Sequence, residues 1–295
     1  MDVSVIIVNY NTLQLTKECI DSIFLKTEGV DFEVILVDNA SSDGSQEFFR
    51  EDKRIRFIES DSNLGFGKAN NLGYKYAIGK YIFLLNSDTI LLNNSVKIFF
   101  DYAERMNKNV VSLGALLLNV DGNFVHSYAR FPSVLRITLQ LLNQYTSFLG
   151  CDLSGYNPEV TEEDLPLKVD YVTGADLFIR RSVIEKLGLF NPAFFMYFEE
   201  TEMQYRYRKY GYYSEIISGP KIIHYNGSGR KKKRNMNGMY ISTEGCFTYC
   251  KLVFSSIDYI LIRFLYIFLL LPKILFYPTS LKDKLKYITL LCSYK

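Results

Sequence analysis

Short apolar runs alternate with amphipathic stretches over the first hundred residues. The runs Val3–Val8, Phe32–Val37, Ile55–Ile58 and Tyr81–Leu85 predict strands that are buried on both faces. The stretches between them carry apolar residues near helical spacing and predict helices, the first over Leu13–Leu25. Strands that alternate with helices predict an α/β fold, with a mostly parallel sheet covered by helices on both faces.

Polar residues stand where the predicted strands end. Asn9 closes the first strand, Asp38 the second, and Asn86-Ser87-Asp88 the fourth. The carboxyl ends of parallel strands meet at one edge of a sheet, where open α/β sheets bind their ligands. Asp88 is a hard oxygen ligand suited to Mg2+ or Mn2+, which would in turn hold a diphosphate. The alternative interpretation of Asp88, a turn acid just past a strand, stays open on this segment alone.

Beyond residue 93 the pattern is less regular, and the stretch 131–156 predicts mobile loops. The other elements predicted there are helices at 95–106 and 182–187 and one starting at Glu199, strands at 110–118, 171–181 and 222–225, and a hairpin turn at Asp121-Gly122.

Two acids begin the helix that follows the aromatic run Phe194–Phe198. Acids in the first turn and bases in the last turn complement the helix dipole, and this accounts for Glu200. Glu199 directly follows Tyr197-Phe198, and a carboxylate held against rings loses hydration, which raises its pKa and makes it a candidate general base. His224 ends the last predicted strand, and a lone histidine is more often structural than a ligand.

The overall charge of +2 hides an asymmetry along the 295-residue chain. Residues 221–295 carry 13 Lys+Arg against 3 Asp+Glu, so a basic tail follows an acidic body and indicates an anionic partner such as lipid head groups or phosphates. The stretch 252–278 is rich in Leu, Ile, Phe and Tyr but is interrupted by Asp258, Arg263 and Pro272. It predicts helices lying in a membrane interface, the alternatives being a helical cap on the core or a dimer interface.

Composition excludes several classes of site. Five cysteines without CxxC spacing argue against a disulfide framework and a zinc site, and two histidines exclude a multi-histidine metal site. The opening Met-Asp and the short Val3–Val8 run do not resemble a signal peptide, and no tract reaches about 20 unbroken apolar residues. We therefore expect a cytoplasmic protein. The basic run Arg230–Arg234 lacks a flanking recognition element, so no nucleic-acid partner is expected.

Six motifs together resemble family-2 glycosyltransferases of the GT-A fold, close to the rhamnosyltransferase branch of bacterial polysaccharide assembly. The motifs are VSVIIVNYN at 3–11, VDNASSDGS at 37–45, NLGFGKANNLG at 63–73, LLNSDT at 84–89, GADLFIRR at 174–181 and FFMYFEETEMQYR at 194–206. The resemblance covers roughly residues 3–250.

The resemblance implies a role for each site residue. Tyr10 would pack on the nucleotide base and Asp38 would hydrogen-bond a pyrimidine, while Asp88 would bind the metal, joined by His224 and by Asn86 in place of the first acid of the D-x-D motif. The remaining residues that it assigns to the nucleotide are Asn63, Gly65, Lys68, Asn71 and Ser87.

The resemblance also implies the reaction. Glu199 and Glu200 match the catalytic acid pair, and which of the two is the base stays open. The implied activity is an inverting transfer of a sugar, with rhamnose as the candidate, from a dTDP or UDP donor to a lipid-linked glycan acceptor. It would use Mn2+ or Mg2+ at the inner face of the plasma membrane, on an anionic membrane surface. A homo-oligomer is left open.

The expected organisation is a catalytic domain over 1–235 and a C-terminal amphipathic or apolar helical region over 236–295. Within the first, a nucleotide-binding half would cover about 1–118 and an acceptor half about 119–235. A dehydrogenase is disfavoured because Asn70 stands where its fingerprint requires a third glycine. A sugar-nucleotide pyrophosphorylase would need a glycine- and arginine-rich loop directly after the first strand, at Asn9–Thr12, which is missing. A degenerate transferase acting as a membrane scaffold is suggested only by Asn86.

Overall fold

The computed structural model describes residues 1–143, 159–225 and 236–293. The strands are β1 Val3–Asn9, β2 Phe32–Asp38, β3 Arg56–Glu59, β4 Tyr81–Asn86, β5 Thr89–Leu91, β6 Val110–Gly114, β7 Tyr128–Ala129, β8 Leu167–Val169, β9 Tyr171–Val172, β10 Asp176–Arg180, β11 Tyr213–Ile216 and β12 Ile222–His224. The helices are α1 Leu13–Lys26, α2 Ser45–Arg50, α3 Phe66–Tyr74, α4 Ser95–Arg105, α5 Val134–Asn143, α6 Arg181–Leu187, α7 Glu199–Lys209, α8 Met236–Val253, α9 Ser256–Phe276 and α10 Leu281–Cys292.

Eight strands form the central sheet in the order β3-β2-β1-β4-β10-β6-β11-β8. The first four are parallel to one another, as their apolar runs predict. β10 is antiparallel to both of its neighbours and β8 is antiparallel to β11, whereas β6 and β11 are parallel. The mostly parallel α/β fold is therefore confirmed, with antiparallel strands entering in its second half.

Side-chain alternation along the central strands divides the core into two layers. Val3, Val5 and Ile7 of β1 pack in one layer, and Ile6 packs in the other. Because successive side chains point to opposite faces, a strand buried on both sides must be apolar throughout. Helices cover both faces, and the polar strand ends are left at one edge.

A third apolar cluster joins α8, α9 and α10 to α5 and to Phe194. The prediction of loops over 131–156 is therefore wrong for Val134–Asn143, which forms α5 and buries Ile137 and Leu141. The physical reason is amphipathicity: a helix whose apolar residues recur near helical spacing orders when a partner covers that face. The rest of that stretch, 144–158, lies outside the described residues, as does the basic run at 230–234.

Helix α9 is long and strongly apolar. It has 21 residues and a mean hydropathy of 2.0 over its most apolar window, only 28% of which is buried. By length and composition it could cross a membrane, although Asp258, Arg263 and Pro272 leave no unbroken apolar tract of about 20 residues. Its exposed residues include Ile257, Phe264, Phe268 and Phe276.

Candidate active site

A two-stranded ribbon brings a histidine next to Asp88. β12 pairs with β5 so that His224 lies opposite Thr89, and the backbone N–H of Tyr225 donates to the carbonyl of Asp88 at 2.9 Å. The Nε2 atom of His224 lies 3.3 Å from Oδ1 of Asp88 and 3.4 Å from Nδ2 of Asn86. The three residues predicted to bind a metal are thus neighbours, although 136 positions separate Asp88 from His224 in the chain.

This group offers one carboxylate, one imidazole and one amide. Adjacent ligands of an ion bound at about 2.1 Å stand about 3 Å apart in octahedral geometry, close to the separation of Asp88 and His224. A mixed nitrogen and oxygen donor set suits Mn2+ better than Mg2+, which prefers oxygen. Within the described residues there is no group of three or more His, Cys, Asp or Glu side chains that could hold a metal ion, and Asp88 with His224 leaves coordination positions for substrate or water. The residues present therefore fit a divalent cation bound together with a diphosphate.

Hydrogen bonds tie the end of β1 to the ends of β2 and β4. Thr12 Oγ1 lies 3.2 Å from Ser87 Oγ and donates to Asn9 Oδ1 at 2.8 Å. Asn9 in turn donates from Nδ2 to Asp38 Oδ2 at 2.7 Å. The polar strand ends therefore form one connected network at the edge of the sheet, as the sequence predicts.

Asp38 and Tyr10 occupy different depths of that edge. Asp38 is fully buried, and its carboxylate accepts hydrogen bonds from Asn9, from the backbone of Ser41 and from Gln46. The ring of Tyr10 is 47% exposed and free to stack on a planar ligand. Asp38 thus orders the loop after β2, and its contact with a pyrimidine stays a prediction.

Asn39 shapes the glycine-rich loop that precedes α3. Its side chain accepts from the backbone N–H of Leu64 at 2.8 Å and donates to Asn63 Oδ1 at 3.0 Å, while Asn63 accepts from the backbone of Gly65 at 2.9 Å. Gly65 has a φ of +79°, and a Cβ there would lie 2.0 Å from the carbonyl oxygen of Phe195. Only glycine meets both conditions.

Lys68 and Asn71 lie on α3 in different surroundings. Lys68 is exposed in the first turn of the helix, and its contact with a phosphate stays a prediction. Asn71 is half-buried and uses both ends of its amide on the backbone of Phe190, donating to its carbonyl at 2.7 Å and accepting from its N–H at 3.1 Å. It joins α3 to the segment before Glu199, and direct binding of a nucleotide by Asn71 stays a prediction.

The segment 191–198, which we call the base segment, delivers Glu199 to the start of α7. Tyr197 and Phe198 both have left-handed backbone conformations, with φ of 71° and 69°. Two consecutive non-glycine residues in this region carry strain that the surrounding structure must offset. On one side Phe66 N–H donates to the Phe195 carbonyl at 2.9 Å, and on the other Gly245 of α8 lets the Met196 and Tyr197 carbonyls approach closely.

Glu199 is buried, and its carboxyl group is not fully hydrogen-bonded. Its side chain is 3% exposed, and Oε2 has no hydrogen-bond partner within the described residues. Burial, and secondarily the charge of Glu200, raises the pKa of Glu199 to about 8. Burial likewise raises the pKa of half-buried Glu200 to about 7. A carboxylate that readily takes up a proton near neutral pH is suited to general base catalysis.

The backbone of Gly174-Ala175 connects the acid pair to the candidate metal group, Asn86, Asp88 and His224. The carbonyl of Ala175 accepts from the N–H of Asn86 at 2.9 Å. At the adjacent Gly174 a Cβ would lie 4.0 Å from Cγ of Glu200, whereas one at Gly67 would lie 3.6 Å from Cγ of Glu199. Glu199 therefore packs against the glycine-rich helix, and Glu200 packs against the strand entering β10.

The apolar runs place Asn9 at this edge, but they do not predict that Asn9, Thr12 and Asn39 organise it. Asn9 directly follows the run of β1, and Thr12 and Asn39 lie in the turns after β1 and β2, so those positions were the available signal. No local pattern indicates that the side chain of Asn39 hydrogen-bonds to Leu64, 25 residues away in the glycine-rich loop.

Comparison with known proteins assigns the family. The sequence model described as glycosyl transferase family 2 matches residues 4–188, well over half of the chain. The chain belongs to glycosyl transferase family 2.

Two curated relatives illustrate the range of this family. The low-salt glycan biosynthesis hexosyltransferase Agl10 of Haloferax volcanii is 29% identical over 213 residues, which are 70% of this chain and 62% of that protein. The N-acetylglucosaminyl-diphospho-decaprenol L-rhamnosyltransferase of Mycobacterium tuberculosis is 25% identical over 231 residues, which are 71% of this chain and 72% of that protein. The chain thus spans less than two thirds of the haloarchaeal relative.

Among solved structures, the mannosyltransferase PcManGT from Pyrobaculum calidifontis, in complex with GDP-Man and Mn2+, aligns with a TM-score of 0.58 at 15% identity. The alignment covers 99% of this chain and 76% of that chain. The GT-A fold expected from the six motifs is confirmed.

Proposed function

We propose that this chain is a metal-dependent, inverting glycosyltransferase. It moves a sugar, with rhamnose as the candidate, from a dTDP or UDP donor to a lipid-linked glycan acceptor in cell-surface polysaccharide synthesis. The observation that carries the proposal is that the candidate metal group, with Asp88 beside His224, is linked through Gly174-Ala175 to the acid pair. In that pair Glu199 is buried, and its Oε2 has no hydrogen-bond partner among the described residues. A fold of this family with neither feature would support only a binding role.

The donor would lie along the edge between Tyr10 and the glycine-rich loop. The exposed ring of Tyr10 offers a surface for the nucleotide base, and Lys68 offers a cation for the diphosphate. Asp88, His224 and Asn86 would hold the divalent ion. When bound, that ion would neutralise charge developing on the diphosphate leaving group.

Glu199 would act on the acceptor. Its carboxylate takes the proton of an acceptor hydroxyl as that oxygen attacks the anomeric carbon and the bond from this carbon to the diphosphate oxygen breaks. A single displacement from the face opposite the leaving group inverts the anomeric configuration. The unpartnered Oε2 of Glu199 and its raised pKa support this role, and Glu200 supports it by adding negative charge nearby.

The acceptor class and the location rest on two further observations. One relative is named for transfer of L-rhamnose to a diphospho-decaprenol acceptor. The apolar, exposed surface of α9 and the basic residues around it favour a peripheral position at the cytoplasmic face of the plasma membrane.

Thermal unfolding with UDP, dTDP and GDP, each with and without Mn2+, tests the donor site. A ligand present at about a hundred times its dissociation constant stabilises the folded state by about 2.7 kcal/mol. We expect a shift of several degrees with one pyrimidine diphosphate that requires Mn2+. In Asp88→Asn the Mn2+-dependent part of the shift should disappear.

Asp31→Asn is the matched control, because it removes an exposed carboxylate directly before β2, at the amino ends of the parallel strands and so opposite the carboxyl ends that Asp88 follows. It should keep the full shift. If no nucleotide shifts the wild-type midpoint, the proposal is wrong and the scaffold interpretation takes its place.

A further inference from the structure

A cavity of about 750 Å³ lies among the three C-terminal helices. Its described lining comes from α8, α9 and α10, together with Ala193 of the base segment. Volumes of this order are typical of small-molecule sites, which combine apolar walls with a few polar groups. The cavity is separate from the candidate metal group and contains none of the residues assigned to the donor.

The walls of this cavity are basic and aromatic. Lys251, Arg263 and Lys286 contribute three positive charges, against one carboxylate, Glu244. Lys286 Nζ lies over the ring of Tyr240, 4.2 Å from its centroid. A net positive lining with rings beside it favours an anionic group that carries apolar substituents.

Arg263 is the buried cation of this group. It is 7% exposed, and its guanidinium lies 4.6 Å from the centre of the Phe247 ring. It donates to Tyr259 Oη at 3.1 Å and to two carbonyls in the last turn of α10, that of Leu290 at 3.0 Å and that of Leu291 at 2.5 Å. Within the described part of the chain no carboxylate forms an ion pair with it. The carbonyls at the end of α10 and the rings of Phe247 and Tyr259 offset part of the cost of burying this charge, and an anionic ligand would offset more of it.

The cavity also lies between two surfaces that matter for the proposed function. On one side α9 exposes Ile257, Phe264 and Phe268, with the two phenylalanine rings stacked 6.3 Å apart. On the other side the wall residue Glu244 adjoins Gly245, which contacts the base segment. A head group in the cavity would therefore lie between an apolar surface and the segment that carries Glu199.

We propose that this cavity binds the phosphate-bearing head group of the acceptor lipid, while the lipid chain lies along the exposed apolar surface of α9. The inference rests on the proposed function, because it identifies where that function takes its acceptor. The phosphate oxygens would accept from Arg263, Lys251 and Lys286 as charge-assisted hydrogen bonds.

Vesicle binding by the full chain tests the site without any glycosyl transfer. The probes are phosphatidylcholine vesicles with a small fraction of a polyprenyl diphosphate, and vesicles of equal surface charge made with phosphatidylglycerol. The variant Lys251→Gln/Lys286→Gln removes two exposed charges, so folding is expected to survive. The attraction of the two lysines to an anionic surface, about fivefold each, acts on both vesicle types alike. We expect the affinity for the diphosphate vesicles to fall by roughly a further tenfold or more, because two charge-assisted hydrogen bonds to phosphate are lost as well.

Lys282→Gln is the matched control, an exposed lysine of α10 outside the cavity lining. It should weaken both vesicle types equally and by no more than about fivefold. Arg263→Gln should behave like the double variant. Free inorganic pyrophosphate should displace the protein from diphosphate vesicles only at high concentration, because it lacks the apolar chain.

Two outcomes with the double variant overturn the inference. One is an unchanged affinity for the diphosphate vesicles. The other is an equal loss on both vesicle types, which means general surface attraction. Pyrophosphate that displaces the protein completely, with an affinity equal to that of the lipid, would also contradict the inference. The cavity would then bind a free phosphate compound and not a lipid head group. The nucleotide-induced thermal shift is measured in parallel, so failure of the donor site is recognised separately.

Discussion

Replacing Glu199 by Gln should make the stability of the protein less dependent on pH. Burial raises the pKa of Glu199 to about 8, from 4.5 in the unfolded chain. Between these values the folded protein keeps a proton that the unfolded chain has lost, so wild-type stability falls as pH rises through this window. Below it both states are protonated, and above it the loss is complete.

The magnitude follows from the size of the shift. Each pKa unit corresponds to about 1.4 kcal/mol, so the whole window represents on the order of 5 kcal/mol. Between pH 6 and pH 8 the wild type should lose about 2 to 3 kcal/mol that Glu199→Gln retains, because the amide cannot ionise. The same variant should lose transfer activity by about 10² to 10⁴, the usual contribution of a general base.

Urea denaturation of the full chain in detergent at the two pH values measures this effect. The quantity is the difference in unfolding free energy between variant and wild type. Glu51→Gln, an exposed glutamate at the end of α2, should change stability by no more than about 0.5 kcal/mol at both pH values. A difference between Glu199→Gln and wild type that stays constant from pH 6 to pH 8 would refute the reasoning.

Two further predictions concern the surroundings of this carboxyl. Gly65→Ala should destabilise the fold at least twice as much as Gly122→Ala in urea denaturation. Both glycines have positive φ, but a Cβ at Gly122 meets open space whereas one at Gly65 meets the Phe195 carbonyl. Equal losses of unfolding free energy in the two variants, about 1 to 2 kcal/mol each, would contradict the close approach at Gly65. In the variant Glu200→Gln, the acid limb of the profile of kcat/KM against pH should move to lower pH. The reason is that the negative charge of Glu200 raises the pKa of Glu199. A shift of this limb to higher pH would exclude Glu199 as the titrating base.

Local pattern predicted the fold where each element carries its own signal. The continuous apolar runs of β1, β2 and β4 are visible because strands buried on both faces must be apolar throughout. No local sequence pattern indicates that β10 lies between β4 and β6 and runs antiparallel to both. Strand order depends on contacts between distant segments, which hydrophobic periodicity does not report.

The candidate site, like the fold, is predictable only where neighbouring residues in the chain carry the signal. Such neighbours mark Asp88 and Glu199 as candidates, whereas the position of His224 depends on the pairing of β5 with β12. A lone histidine is therefore ambiguous until its strand partner is known. The burial of Asp38 is likewise decided by Asn9 and Gln46, and neither residue is unusual in its own sequence context.

The contact between Gly245 and the base segment matters for protein engineering. A Cβ at this position would lie 2.8 Å from the Tyr197 carbonyl and 3.1 Å from that of Met196. Any chimaera that joins this catalytic core to the C-terminal helices of a relative must therefore keep glycine at this point of α8. Without it, the exchange would displace the residues that lead into Glu199, and a change intended for the acceptor would alter the chemistry as well.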